Sequence, residues 1–170
     1  MFRHNQLRDI LGHAAKGAGL SAVVEKKNQI TGSLSKPGDI TVQQYERGFS
    51  STAFDVTVSH PLQKQLIDVA TIGSGVAAEQ AHDRKLLKHL ADCKDEGLQF
   101  VPLAWESTGG ATETVHKTIG KWSHLESERG GYPHAVIRQT LYAQVSCCLQ
   151  RHLAQAILDR RPELECERAS

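Results

Sequence analysis

The sequence lacks any apolar run approaching the roughly 18 residues that a membrane-spanning helix needs. Its opening segment, MFRHNQLRD, is also too polar for a signal peptide. Aromatic residues are scarce at 5%, yet 39% of the 170 residues are hydrophobic and 23% are charged, which is typical of a soluble protein. This length suits one domain that buries roughly 70% of its unfolded surface. The sequence therefore predicts a folded protein that is neither secreted nor inserted in a membrane.

A strong surplus of positive charge is missing as well, because 20 Lys and Arg residues face 19 Asp and Glu residues, for a net charge of +1. Nucleic-acid-binding domains usually carry a basic surplus, so this balance argues against a strong, free-standing DNA-binding domain. The average conceals one asymmetry, since residues 1–50 contain seven Lys and Arg residues but four Asp and Glu residues. A locally basic face near the N-terminus therefore stays open as a hypothesis.

The four cysteines show no spacing typical of a structural zinc site, since the sequence contains no CxxC pair. Cys147 and Cys148 are adjacent and can hardly form a disulfide with each other without strain. Cys93 and Cys166 are far apart in the sequence. We therefore expect reduced thiols and an intracellular protein, nuclear or cytoplasmic.

Hydrophobic periodicity and turn residues predict an α/β protein in the order helix, three strands, helix, strand and two helices. The early strands suit an antiparallel meander, and the next helix suits a crossover to the fourth strand. Pro102 predicts that this fourth strand lies near a sheet edge or strand end. Residues 26–38 are predicted to be a loop, and residues 62–70 a short helix or an irregular crossing. The predicted helices are 4–18, 76–95, 112–125 and 134–158, and the predicted strands are 21–25, 39–45, 52–58 and 98–105.

Two aspartates stand out against this pattern. Asp39 opens one predicted strand, and Asp55 lies inside the next one, between Phe54 and Val56. Strand interiors rarely contain Asp because a carboxylate is costly to desolvate, so Asp55 needs a cation, a metal or a network of donors. Neighbouring strands lie about 4.8 Å apart, so the two carboxylates can converge on one point. Two converging carboxylates suit Mg²⁺, which can polarise a phosphodiester and activate a water molecule.

A simpler interpretation of the two acids stays open. In that interpretation, Asp39 caps the turn after Lys36-Pro37-Gly38, and Asp55 faces solvent. Both interpretations give the same strands, and they differ only in whether the two carboxylates meet.

Lys85 and Lys88 lie three positions apart on the following helix and therefore share one face of it. A lysine beside a metal-bound phosphate can stabilise the negative charge that develops there, although two such lysines also suit the solvated face of a helix. His4, Arg8 and Lys36 are candidate contacts to DNA phosphates.

Four motifs occur in order along the chain: His4-Asn5 with Arg8-Asp9, Lys36-Pro37-Gly38-Asp39-Ile40, Phe54-Asp55-Val56-Thr57-Val58, and Lys85 with Lys88-His89. Together they resemble the restriction-like endonuclease domain of site-specific non-LTR retrotransposons, a branch of the PD-(D/E)xK nuclease superfamily. The core of that superfamily runs helix, three strands, helix and strand. The run FVPLAWESTGG also resembles C-terminal segments of retroelement-derived reverse transcriptase proteins. On this resemblance, residues 1–110 form a restriction-endonuclease-like core, residues 111–160 a C-terminal helical extension and residues 161–170 a tail.

The resemblance implies metal-dependent hydrolysis of a DNA phosphodiester, with Mg²⁺ as the metal and Mn²⁺ as an alternative. It implies that Asp39 and Asp55 are metal ligands, with the carbonyl of Val56 as a third. The superfamily lysine normally lies two residues after the second acid, where this chain has Thr57. The resemblance implies that Lys85 from the next helix takes its place as the third catalytic residue.

Other positions of the resemblance depart from the usual pattern. Lys88 and His89 are implied to support the catalytic residues, together with Thr57, although the subgroup usually has Tyr where this chain has His89. Gly38 separates Pro37 from Asp39, whereas many members have Pro directly before the acid. These departures bear on activity more than on the fold.

Three functions stay open at this stage. The first is a DNA endonuclease module, which implies that a reverse transcriptase or zinc-finger segment of a parent protein supplies DNA targeting. The second is a catalytically inactive remnant of the nuclease fold that binds nucleic acid or protein. The third is an oligomeric adaptor that associates through the helix predicted over 135–158, although the sequence leaves the oligomeric state open.

Overall fold

A computed structural model describes residues 2–26, 30, 37–64, 66–67, 71 and 73–159. These residues form an α/β protein with one four-stranded sheet and four helices, in the order that the sequence predicts. The helices are α1 (Phe2–Gly17), α2 (Val76–Asp95), α3 (Glu113–Gly130) and α4 (His134–Leu158), and the strands are β1 (Ala22–Val24), β2 (Ile40–Gln43), β3 (Ser51–Ser59) and β4 (Leu98–Glu106).

The sheet has the strand order β1-β2-β3-β4. The first three strands form antiparallel pairs, and β4 runs parallel to β3 after the crossover through α2. This topology confirms the predicted meander and helical crossover. β4 forms one edge of the sheet, which confirms the prediction from Pro102, because an edge strand tolerates a residue without an N–H group.

Helices cover both faces of this sheet. Phe54 and Val56 of β3 belong to a large core that they share with α1, α3 and α4, whereas Ala53 belongs to a smaller core with Cys93 of α2. Successive residues of a strand point to opposite faces, so Asp55 lies on the α2 side, like Ala53. The topology therefore brings α2 to the one acidic side chain inside β3.

Local backbone conformation explains where two elements differ from the predictions. α3 continues to Gly130, beyond its predicted end at residue 125, and stops because Gly131 adopts a left-handed conformation with φ of 72°. β2 is shorter than the predicted 39–45, since Gln44 has a positive φ of 51°, which ends the extended backbone. The N–H of Gly131 donates to the carbonyl of Ser127 at 3.0 Å, which closes the last turn of α3.

Parts of three predictions lie outside the described residues, namely the loop over 26–38, the segment over 62–70 and the tail over 161–170. Within the described part of the chain, no helix combines the length and apolar character needed to cross a membrane.

We expect Phe54→Ala to lower the free energy of unfolding by about 3–5 kcal/mol, because it removes a fully buried ring. The Phe54 ring packs edge-on against Tyr45 and Trp122, with ring centroids 5.2 Å apart in both pairs. Urea unfolding followed by circular dichroism measures this change. Phe49→Ala in the β2–β3 turn is the matched control and should cost less than about 1 kcal/mol. Equal losses in the two variants would contradict this description of the core.

Candidate functional site

Asp39 lies beside Asp55 at the start of β2. The N–H of Asp39 donates to the carbonyl of Phe54 at 2.8 Å, and Oδ2 of Asp39 accepts the N–H of Val56 at 2.7 Å. Asp39 thus binds the main chain on both sides of Asp55. Asp39 precedes β2, so its carboxylate takes the place of a β2 main-chain carbonyl as the acceptor for the N–H of Val56. This hydrogen bond holds the carboxylate against β3.

The second oxygen of the same carboxylate contacts α1. Oδ1 of Asp39 lies 3.1 Å from Nε2 of His4, and the two side chains are 20% and 41% exposed. This hydrogen bond raises the pKa of His4 above its ordinary value of 6.5, and the charges of Asp39 and Asp55 add to the effect against the opposing effect of burial. His4 is thus bonded to Asp39, which itself binds the main chain on both sides of Asp55.

Asp55 is the more buried of the two acids, with 11% of its side chain exposed compared with 20% for Asp39. Its Oδ1 accepts a hydrogen bond from Nζ of Lys85 at 3.0 Å, and its Oδ2 accepts one from the hydroxyl of Thr57 at 2.9 Å. A buried carboxylate is costly unless it is paired and hydrogen-bonded, and these two donors meet that need. The structure therefore brings Asp39, Asp55 and Lys85 together, with Thr57 and His4 as their immediate partners.

The Val56 carbonyl lies on the same side of β3 as this cluster. In a strand, the N–H and C=O groups of one residue point toward the same neighbour, and the N–H of Val56 points to Asp39. The carbonyl therefore faces the β2 side, where it can supply a third oxygen near the two carboxylates.

The other predicted residues of α2 occupy different surroundings. Lys88 is exposed to solvent, whereas His89 packs against Phe100 with ring centroids 5.4 Å apart. Burial, followed by the positive charges of Lys85 and Lys88, lowers the pKa of His89 below 6.5. Only one of the two helix lysines thus contacts an acid of the site.

Two of the three candidate phosphate contacts have other surroundings or lie outside the described residues. Arg8 binds the carboxylates of Asp9 and Glu25, and its side chain is only 12% exposed, so it joins α1 to the end of β1. Lys36 lies outside the described residues. His4 remains at the site, bonded to Asp39.

Gly38 is required by the close approach of two chain segments. A Cβ atom at this position would lie 2.8 Å from the carbonyl oxygen of Phe54 and 3.1 Å from Cβ of Ala53. Any side chain would therefore push the segment away from β3 and take the Asp39 carboxylate with it. Gly38 thus brings Asp39 close to Asp55.

One buried acid was not singled out from the sequence. Glu106, the last residue of β4, is 3% exposed and accepts the N–H of Ala77 at the start of α2 at 3.0 Å. The sequence carried a local signal, because Glu106 directly follows the apolar strand run that ends at Trp105.

The donor atoms of the site suit a hard cation. Mg²⁺ prefers carboxylate and carbonyl oxygens and keeps several of its waters, so two acids and one carbonyl can be sufficient. Among the described residues, no group of three or more His, Cys, Asp and Glu side chains is arranged to hold a metal ion. A cation at this point would meet Asp55 and Lys85 together, and it would compete with the Lys85 ammonium for Oδ1 of Asp55.

The fold and site together define an α/β protein in which Asp39 binds the main chain beside Asp55 and Asp55 binds Lys85 of α2. No protein-family model matches this chain, and no curated protein matches it either. The positions of the side chains are therefore the basis for inferring a function.

We expect the imidazoles of His4 and His89 to titrate on opposite sides of pH 6.5, His4 above and His89 below. Because the pKa of His4 is raised by folding, its contribution to stability is complete below pH 6.5 and is lost as the pH rises through the folded-state value. Asp39→Asn should lower the pKa of His4 and leave that of His89 unchanged. Titration by NMR measures both values in one sample, and an unchanged His4 in the variant would contradict the assigned hydrogen bond.

Proposed function

We propose that this chain is a metal-dependent DNA endonuclease module of retroelement origin with a restriction-endonuclease-like core. The main support is the meeting of Asp39, Asp55 and Lys85, which come from three different elements or their ends. The topology adds support, because an antiparallel meander followed by a helical crossover to a parallel strand is the order that the family resemblance implies.

In this proposal Asp39 and Asp55 hold Mg²⁺, or Mn²⁺ in its place, and the Val56 carbonyl is a further ligand. Such an ion, when bound, polarises the phosphodiester and lowers the pKa of a water molecule, which makes that water a nucleophile at neutral pH. The fit rests on oxygen donors alone, since the described part of the site contains carboxylates and a carbonyl but no thiol.

Lys85 has two roles in the proposed reaction. In the free protein its ammonium neutralises Asp55 at 3.0 Å. Its side chain is 34% exposed, compared with 11% for Asp55, so its flexible carbon chain can carry the charge toward a phosphate at the surface. There the ammonium stabilises the negative charge that develops as the phosphodiester bond breaks. Thr57 holds the other oxygen of Asp55 throughout.

The surrounding charge limits what this module does alone. His4, when protonated, and the exposed Lys88 can contact phosphates beside the site, but the net charge of the chain is only +1. DNA affinity grows with the number of phosphates that basic residues neutralise. We therefore propose that a reverse transcriptase or zinc-finger segment of a parent protein supplies most of the affinity for DNA.

One observation favours the second function, an inactive remnant that binds nucleic acid or protein. All four carboxylate oxygens of Asp39 and Asp55 already have a hydrogen-bond partner within the chain. A network of this kind is stable without a metal, so a fold that had lost catalysis could retain it.

Cleavage of supercoiled plasmid DNA in Mg²⁺ separates the two functions. We expect the wild-type protein to nick the plasmid, and we expect Asp39→Asn and Asp55→Asn to nick it at least about 100-fold more slowly. Lys85→Met should cost about 10²–10³-fold, the usual cost of losing one group that stabilises charge in the transition state. Chelation of the metal should abolish nicking in every sample.

Two variants of exposed residues on α2 serve as matched controls. Lys94→Met and Asp95→Asn remove the same kinds of charge from the same helix outside the cluster, and they should nick within about twofold of wild type. Equal nicking by Asp55→Asn and wild type would contradict the endonuclease proposal. DNA binding without nicking by any sample would favour the inactive remnant.

Metal binding can be tested without cleavage. Because His4 is bonded to Asp39, paramagnetic Mn²⁺ at the two carboxylates should broaden the NMR signals of the His4 ring at substoichiometric concentration. His116, which lies on α3 and contacts Tyr142 of α4, should keep its signals and serves as the internal control. Asp39→Asn should abolish the selective effect on His4. Equal broadening of both rings would count against a metal site.

A further inference from the structure

A buried junction at the carboxyl end of β4 joins this strand to the start of α2. The carboxylate of Glu106 accepts the N–H of Ala77 on one oxygen at 3.0 Å and the hydroxyl of Thr108 on the other at 3.3 Å. Glu106 is 3% exposed, so both oxygens are held away from bulk water. Neither oxygen contacts the Asp39 and Asp55 cluster, and the proposed chemistry does not use this acid.

The chain packs tightly around that carboxylate. A Cβ atom at Gly110 would lie 2.5 Å from Oε2 of Glu106 and 2.7 Å from the main-chain nitrogen of Gly75. The N–H of Glu106 also donates to the carbonyl of Gly110 at 2.6 Å. Gly75 directly precedes α2 and has a φ of 91°, a conformation that favours glycine. The loop after β4 thus packs directly against the start of α2, and position 110 has no space for a residue larger than glycine.

The contact between α2 and the sheet is made of small side chains at this end. Ala78 and Ala81 of α2 form a small buried cluster with Ala104 of β4. Alanine side chains allow close approach but interlock little, so they do not fix how far the helix slides or turns on the sheet. The hydrogen bond from Ala77 to Glu106 is directional and buried, so it adds a contact that depends on the exact position of the helix end.

The position of the α2 start affects the proposed site because Lys85 lies on the same helix. Lys85 lies eight residues after Ala77, which corresponds to about 12 Å along a helix. α2 is continuous over this stretch, so a shift of its first turn is transmitted to Lys85. Asp55 is fixed separately, by its place in β3.

We infer that Glu106 is a positioning residue, whose buried carboxylate sets α2 on the sheet so that the Lys85 ammonium meets Asp55. Its role in catalysis rests on the proposed nuclease function, whereas its effect on the Lys85–Asp55 pair does not. A buried carboxylate costs free energy compared with an apolar side chain, and here it sets the position of the helix in return.

Two conservative variants separate position from charge. Glu106→Gln keeps the length of the side chain, and its amide oxygen can accept the Ala77 N–H. Glu106→Asp keeps the charge but withdraws the carboxylate by about 1.5 Å, one carbon–carbon bond. If Glu106 acts by position, Gln restores the arrangement and Asp does not. If it acts only as a negative charge at a helix N-terminus, the order is reversed.

The test is competitive amine labelling with acetic anhydride, read by mass spectrometry on the folded protein. Lys85 should react slowly in wild type and in Glu106→Gln because it is paired, and at least about threefold faster in Glu106→Asp. The exposed Lys88 on the same helix is the internal control and should react equally in all three proteins. The thiol of Cys93, which is fully buried, should stay protected from a thiol reagent in all three.

Several results would overturn the inference. Unchanged Lys85 reactivity in a folded Glu106→Asp protein is one, and faster reaction in Glu106→Gln than in Glu106→Asp is another. Exposure of Cys93 together with Lys85 would show that the whole helix loosens and that Glu106 only stabilises it. If Glu106→Asp does not fold, Gly110→Ala replaces it, since the added methyl group displaces the carboxylate without removing it.

A second measurement connects the junction to the proposed reaction. Glu106→Asp should lower kcat for plasmid nicking about tenfold and leave KM for DNA unchanged, and Glu106→Gln should restore kcat. Absence of nicking by the wild-type protein would contradict the proposed function but leave the labelling result to decide the inference. Wild-type nicking with an unchanged kcat in Glu106→Asp would contradict the positioning role alone.

Discussion

The Asp55 carboxylate is a negative charge inside the central sheet, and the cost of removing it from water constrains the elements around it. Its side chain is 11% exposed, and a charge at such a place is tolerated only when it is paired and hydrogen-bonded. Thr57 supplies a donor from the same strand. The cation has to come from another element, because Ala53, Phe54 and Val56 around Asp55 in β3 are apolar. It comes from Lys85. α2 must therefore pack on this face of the sheet in the position that brings Lys85 to Asp55.

The crossover topology makes that placement possible. Because β4 is parallel to β3, the chain must return to the opposite end of the sheet, and α2 is the connection that does so. The same connection brings the first turn of α2 to the last residue of β4, where Glu106 receives it. The start of α2 is thus held by β4, and Lys85 lies between this start and Cys93, which packs against Ala53 of β3. Asp39 is anchored independently, through the close approach of Gly38 to β3.

The near-zero net charge gains a more specific meaning from the contacts. Many charges are used in pairs between elements, such as Arg8 with Glu25 and Lys121 with Glu46. Arg8 belongs to the N-terminal segment in which Lys and Arg outnumber Asp and Glu. Because Arg8 is paired with Glu25, this segment offers less positive charge to a phosphate than its number of basic residues indicates. Such a surface fits the proposed cleavage module, which relies on other segments for DNA affinity.

The sequence by itself determined the type and order of the elements, because helical periodicity, strand patterning and terminal glycines are local properties. The helices predicted over about 76–95 and over 134–158 agree with α2 and α4. It also singled out Asp55, since an acid within an apolar strand is anomalous without any knowledge of its neighbours. Only the tertiary structure decided that Arg8 binds Glu25 and that Glu106 is buried at the start of α2. Both outcomes depend on contacts between residues that are far apart in the sequence. Such contacts decide whether a charge is buried or paired, and a local sequence pattern does not specify them.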